Sequence, residues 1–272
     1  MARSARAPHA LLQVQPIPPV VVSRLLRRQQ VSGFDGAATG DPRSAERAVP
    51  GKVAALHSMS MSVIVLAGGH SRRMGVDKAL LQARGQPLLA RVVGRLAGLS
   101  DDVIVSTDQA GRYTAALDGL GVREVIDALQ NAGPLSGLCA GLTAARYAQA
   151  VAVACDMPFV NAALLQWMAE QLPGYDAVVP QTGDLAHAGS RALHAKSAGL
   201  HPLHAIYCKS CLETIHAALD EGERSMGGLL SRLNARRVGI DDLRAVDPRL
   251  LSLRNVNTPE DWAECLRLIE NE

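Results

Sequence analysis

The sequence predicts an α/β domain of the open, doubly wound type, with a mostly parallel sheet and helices on both faces. Three observations carry this. From Met61 onward, short β-branched runs alternate with longer Ala- and Leu-rich segments. The short runs are almost continuously apolar, as strands buried on both faces must be. The segments richest in glycine and charge fall directly after strands, where open α/β sheets bind ligands.

The elements follow in order. Ser62–Ala67, Val103–Thr107, Val122–Ile126, Val151–Ala154 and Ala177–Pro180 read as strands, each rich in Val, Ile or Ala. Between them, Pro87–Gly98, Ala110–Gly119, Leu135–Ala148 and Ala162–Leu172 read as helices, the only arrangement that returns each strand parallel to the last. Further on, Cys208, Cys211, Leu212, Ile215 and Leu219 fit one apolar helical face. Thr258-Pro259-Glu260-Asp261 starts a final helix, with Thr258 as N-cap, Pro259 as first helical residue and Asp261 completing a near capping box.

Composition narrows the class. Hydrophobic residues make up 48% of the 272, so a large core can be buried, and with aromatics at only 3% that core is aliphatic. The 28 Lys and Arg against 26 Asp and Glu leave a net charge of +2, too even for a general nucleic-acid binder. Five scattered cysteines suit reduced thiols in a cytoplasmic protein better than a disulfide framework. No apolar run reaches the roughly 20 residues of a membrane helix.

Residues 1–60 differ from the rest. They contain Pro16, Pro18 and Pro19, a basic Arg24–Arg28 cluster, and no acid before Asp35. Three readings compete: a disordered extension, an organellar targeting peptide, or a mis-assigned start, since Met59 and Met61 lie just before the first strand. The first and third are favoured. The domain is therefore expected over residues 61–272.

The chemistry concentrates in four places. Leu66-Ala67-Gly68-Gly69-His70-Ser71-Arg72-Arg73-Met74-Gly75-Val76-Asp77-Lys78 follows the first strand. Two glycines let bare amides approach phosphate oxygens, and Arg73 and Lys78 supply a forked and a point cation. The blander alternative is a strand–helix turn with solvated basic residues. The segment fits neither the Walker nor the dinucleotide fingerprint. Asp156, in Cys155-Asp156-Met157-Pro158, ends a buried strand at the lip of the expected cleft. It could hold a divalent cation together with triphosphate oxygens, or simply cap a turn; Cys155 reads as a small core residue. Asp127 also ends a strand, and Gly133-Pro134 leads into the next helix, its Gly137 and Gly141 permitting close packing. Asn255 and Asn257, two apart before the last helix, share one side if extended.

Taken together, the opening loop, Cys155-Asp156-Met157-Pro158 and Asn255-Val256-Asn257-Thr258-Pro259 resemble the molybdenum cofactor guanylyltransferases, within the Rossmann-like nucleotidyltransferases; the resemblance spans about residues 61–270. It implies phosphate contacts for the Leu66, Ala67, Gly68 and Gly69 backbone, catalytic roles for Lys78, Arg73 and Asp156, and Mg²⁺ on Asp156. It further implies nucleotide or acceptor contacts for Asp127, Gly133, Pro134, Asn255 and Asn257. Where the family often has an Asn near the base, this chain reads Ser106-Thr107, which makes Ser106 a weaker candidate. His201 and His204 fall on the acceptor side and either contact the acceptor or shape a turn. A zinc site built from Cys208, Cys211, His201 and His204 is disfavoured because no second Cys pair follows. The Gly183–Leu200 stretch is longer than the family usually has.

The activity the resemblance implies is transfer of GMP from GTP to the phosphate of molybdopterin, with GTP and molybdopterin as substrates. Transient contact with molybdoenzymes or their chaperones is a further expectation, and neither nucleic acid nor membrane is expected as partner. Two alternatives stand beside it: a cytidylyltransferase or sugar-phosphate nucleotidyltransferase of the same fold, and a non-catalytic nucleotide-binding chaperone for molybdoenzymes.

Overall fold

The computed structural model describes residues 60–68, 75–127, 129, 133–183 and 199–272. The chain runs β1 (Ser62–Leu66), β2 (Gln82–Ala83), β3 (Gln86–Pro87), α1 (Leu88–Leu96), β4 (Val103–Thr107), α2 (Thr114–Leu117), β5 (Arg123–Ile126), α3 (Pro134–Ala144) and β6 (Gln149–Ala154). It continues through α4 (Ala162–Glu170), β7 (Ala177–Pro180), β8 (His204–Cys208), α5 (Cys211–Asp220), α6 (Met226–Leu230), β9 (Ala235–Val238), α7 (Ile240–Val246) and α8 (Pro259–Glu270).

Seven strands form one sheet in the order β5-β4-β1-β6-β8-β7-β9. β1 pairs in parallel with β4 and β6, β4 with β5, and β7 with β9, while β8 runs antiparallel to both β6 and β7. The chain grows outward from β1 through β4 to β5, then returns to the other side of β1 as β6. The order therefore reverses between β1 and β6, and their carboxyl ends flank the crevice that this reversal opens.

Burial on both faces explains the apolar strands. Val63, Val65, Val103, Val105, Val151 and Val153 point into one core with α1, α4, α7 and α8; Ile64, Leu66, Ile104, Ala150 and Ala152 point into the other with α3, α5 and α6. The second layer sits unusually close. A Cβ on Gly141 of α3 would collide with the Ile64 side chain, and one on Gly137 would press on Leu66 at 3.2 Å. Glycine at these positions lets the helix backbone lie against β1.

The expected strands are all present, and three features differ from expectation. The segment Ala110–Gly119 forms only the short α2, because Gly111 takes a φ of +70° and breaks the turn ahead of it. The third helix stops at Ala144: Ala145 is extended, and the next amide, Arg146 N–H, turns to the buried Asp102 carboxylate at 2.8 Å. Cys208 belongs to β8 and not to the following helix, whose buried face is Cys211, Ile215, Ala218 and Leu219. The β2–β3 hairpin turns on Arg84 and Gly85, both at positive φ, the geometry that matches strand twist in a two-residue loop. Among the described residues, no helix is long and apolar enough to cross a membrane.

Candidate active site

Lys78 opens a 3₁₀ turn, Lys78–Leu80, that is capped by the Asp77 carboxylate accepting from the Ala79 N–H at 3.1 Å. The cap aims the Lys78 ammonium at the end of β6. There it donates to Asp156 Oδ2 at 3.1 Å and to Asn257 Oδ1 at 3.0 Å. Asn255 Nδ2 donates to the other Asp156 oxygen at 3.2 Å, and the Val256 N–H donates to the Asp156 carbonyl at 2.9 Å. Four predicted site residues from three distant parts of the chain thus meet in one cluster. Asn257 is held in turn: its N–H donates to the Asp261 carboxylate at 2.9 Å, and Asp261 completes a full capping box with Thr258.

The cluster is nearly dry, with the side chains of Lys78 and Asp156 only 15% and 16% exposed. Burial raises the Asp156 carboxyl above its ordinary pKa, and Lys78 and Asn255 pull it back. A carboxylate so placed needs a neighbouring cation. In this structure the Lys78 ammonium fills that need, bridging one carboxylate oxygen and one amide oxygen. Such hard oxygen donors fit a divalent metal. Among the described residues no three His, Cys, Asp or Glu gather to form a full metal cage. The donor set therefore suits an ion that takes its remaining ligands from water and phosphate.

The other predicted residues lie along the same sheet edge. Leu66, Ala67 and Gly68 leave β1; the Leu66 carbonyl accepts the Cys155 N–H at 3.0 Å, and the Ala67 N–H donates to the Ser106 carbonyl at 2.8 Å. Gly69 and Arg73 lie outside the described residues. Asp127 follows β5, accepting from the Leu129 N–H at 2.9 Å and from the Ser136 hydroxyl in the first turn of α3. Gly133 precedes that helix with a φ of +77°, packed so closely that an added Cβ would lie 2.8 Å from the Arg224 carbonyl; Pro134 is the first helical residue. Ser106 is buried beneath α3, and its hydroxyl has no partner. Asp127, Gly133, Pro134 and Ser106 form a second group, joined to the Lys78 cluster through β1 and β4 and not by direct hydrogen bonds among the described residues.

His204 proves to be the first residue of β8, fully buried, with both ring nitrogens unpartnered. Burial, with His201 nearby, lowers its pKa to about 3, so it is neutral at ordinary pH. His201 pairs through Nε2 with the Thr182 hydroxyl at 2.9 Å. Cys155 packs against the core, as its reading required.

Sequence reasoning passed over Asp108, Arg112 and Tyr113. Arg112 bridges Asp77 and Asp108, with nitrogen–oxygen distances of 2.7 Å to each. The buried Tyr113 hydroxyl lies 2.8 Å from the Ala67 carbonyl and 3.1 Å from Asp77 Oδ2. The available signal was the Asp108-x-x-x-Arg112 spacing of an ion pair just after a strand end.

Comparison with known proteins agrees with this fold. Residues 63–237 match the family model described as the MobA-like NTP transferase domain. A protein of Pelotomaculum thermopropionicum named probable molybdenum cofactor guanylyltransferase is 36% identical over 208 residues, covering 76% of this chain and 93% of that one. A molybdenum cofactor guanylyltransferase of Desulfosudis oleivorans is 33% identical over 202 residues, 73% and 90% of the two chains. The crystal structure of molybdopterin-guanine dinucleotide biosynthesis protein A from Archaeoglobus fulgidus superimposes with a TM-score of 0.65 at 25% identity, covering 78% of this chain and all of that one. The Rossmann-like sheet, its crevice and these relatives together place the chain in the MobA-like NTP transferase family, among the molybdenum cofactor guanylyltransferases, as a nucleotidyltransferase.

Proposed function

We propose that Lys78, Asp156, Asn255 and Asn257 form the reaction centre at which this enzyme transfers GMP from GTP to the phosphate of molybdopterin. The reaction forms a bond from an acceptor phosphate oxygen to the α-phosphorus, breaks the α–β bridging bond, and releases pyrophosphate. The acceptor is already anionic, so no strong general base is needed, and catalysis consists of positioning and charge neutralisation. Lys78 neutralises the triphosphate, with Arg73 as a second cation. The amides of Leu66, Ala67, Gly68 and Gly69 cradle its oxygens.

Asp156 and Asn257 would hold Mg²⁺, which would supply charge neutralisation for the α-phosphate and the departing pyrophosphate. Asn255 fixes the Asp156 carboxylate through the hydrogen bond at its other oxygen. Asp127, Gly133, Pro134 and Ser106 line the nucleoside side. The domain occupies residues 61–272 and works in the cytoplasm, with transient contact to molybdoenzymes or their chaperones.

The observation that carries this reading is the meeting of Lys78 and Asp156 at the crevice between β1 and β6. The test is pyrophosphate release with GTP or CTP, molybdopterin or a sugar phosphate, and Mg²⁺ present or chelated. Turnover confined to GTP, molybdopterin and Mg²⁺ is expected. Equal or better turnover with CTP or a sugar phosphate would reassign the substrate, and none with any pair would leave a binding protein.

A further inference from the structure

From the network behind Lys78 we infer that Arg112 and Tyr113 are positioning residues for this transfer, acting on the triphosphate through Asp77 and Lys78. This rests on the phosphate role given to Lys78 above. The chain of contacts is continuous. Tyr113 is buried at the start of α2 and reaches both the Ala67 carbonyl, where β1 ends, and the Asp77 carboxylate. Arg112 grips the same carboxylate with Nε at 3.0 Å and Nη2 at 2.7 Å, while its Nη1 holds Asp108 at 2.7 Å. Its guanidinium also lies 5.3 Å from the Tyr113 ring centroid. Asp108 backs onto the start of the glycine-rich segment: an added Cβ on Gly68 would lie 3.7 Å from the Asp108 amide.

The carboxylate held in this way is the one that caps the turn carrying Lys78. The Asp77 carboxylate meets the Ala79 amide, Tyr113 and Arg112 together, so the direction of Lys78 is set from behind. Ala67, where β1 ends, and Asp77, the cap of the Lys78 turn, are also tied to one side chain. Without the tie, Lys78 keeps its charge but loses its aim, and misplacement of a catalytic group is costly even when small.

The test uses the full chain, with pyrophosphate release measured while GTP and molybdopterin are varied separately. Tyr113→Phe keeps the ring and removes the hydroxyl; Arg112→Gln removes the guanidinium from a side chain that is 20% exposed. Each is expected to raise KM for GTP about tenfold while KM for molybdopterin and the thermal midpoint stay close to the parent. Adding Tyr113→Phe to Lys78→Ala is expected to cost less than about twofold more, because both act on one interaction.

An unchanged KM for GTP in both Tyr113→Phe and Arg112→Gln, beside a crippled Lys78→Ala, would overturn the positioning role and leave the Lys78 reading standing. So would fully multiplicative losses in the double variant. Full turnover by Lys78→Ala would instead overturn the Lys78 reading and the clamp with it. If Tyr113→Phe fails to fold, Arg112→Gln alone decides.

Discussion

Lys78 and Asp156, 78 residues apart in the chain, form a nearly dry ion pair at the end of β6. On the proposed reading, binding of Mg²⁺ at Asp156 would open this pair. Asp156→Asn keeps the shape and removes the charge, and is expected to lower kcat about 10²- to 10³-fold and to shift the Mg²⁺ dependence to higher concentration. Lys78→Ala is expected to fall mainly in kcat/KM for GTP. Steady-state kinetics across a Mg²⁺ titration check both; an Asp156→Asn enzyme with parental kcat would remove the acid from the reaction.

Gly141 packs α3, the helix that begins at Pro134, directly on Ile64 of β1. Gly141→Ala is expected to destabilise the fold by about 1–3 kcal/mol through overpacking. Gly227→Ala, in α6 with open space around it, is expected to be neutral or to stabilise by about 0.5 kcal/mol. Urea denaturation of the two variants side by side separates steric conflict from helix propensity.

His204 gives a pH signature. Its folded pKa of about 3 lies below the ordinary histidine value of 6.5, so at intermediate pH the unfolded chain binds a proton that the folded one refuses. Stability therefore falls as pH drops from about 6.5 toward 3. His204→Phe removes that slope along with two unpartnered ring nitrogens, and is expected to be neutral or stabilising near neutral pH. Thermal melts from pH 4 to 8 read it. A stable His204→Phe enzyme with a large rise in KM for molybdopterin would instead give the imidazole a role in acceptor binding.

Asp102, at the opposite edge of the sheet, behaves in the contrary sense. Its burial would raise the carboxyl, but Ser62, the Arg146 amide, Arg123 and the Arg146 side chain together hold it at about 2. The stabilisation is full above the ordinary value near 3.8 and is lost as pH falls through about 2. With Arg123 and Arg146 about half exposed and screened, about 1–2 kcal/mol is expected from it. Asp102→Asn should lose that amount at pH 7 and converge on the parent near pH 2, as followed by denaturant titration.

The parallel strands were legible because their side chains are buried on both faces, leaving Val63–Leu66 and Val151–Ala154 no polar residue to mask the pattern. β8 was less so: it starts with a histidine, which reads as a turn or a ligand until a neighbouring strand buries it. β9 carries Arg236 and Arg237 at the sheet edge and lacks an apolar run altogether. In the site, Lys78, Asp156 and Asn257 could be named separately, since each sits in one of the short motifs that carry the family resemblance. Their mutual hydrogen bonds depend on strand order, which no local pattern encodes. The Asp77–Arg112–Tyr113 network was hidden for the same reason, its partners standing 35 and 36 residues apart.

Asn255 and Asn257 reach Asp156 and Lys78 from 99 and 179 residues away, and both lie beyond residue 237, where the match to the family model stops. The central sheet is complete before the ribosome has made either asparagine. A nascent or prematurely terminated chain can thus own every strand and still lack the hydrogen bonds that hold Asp156 and Lys78 from the far end of the chain. On the proposed reading, guanylyl transfer would wait until this last stretch of polypeptide is in place beside Asp156 and Lys78.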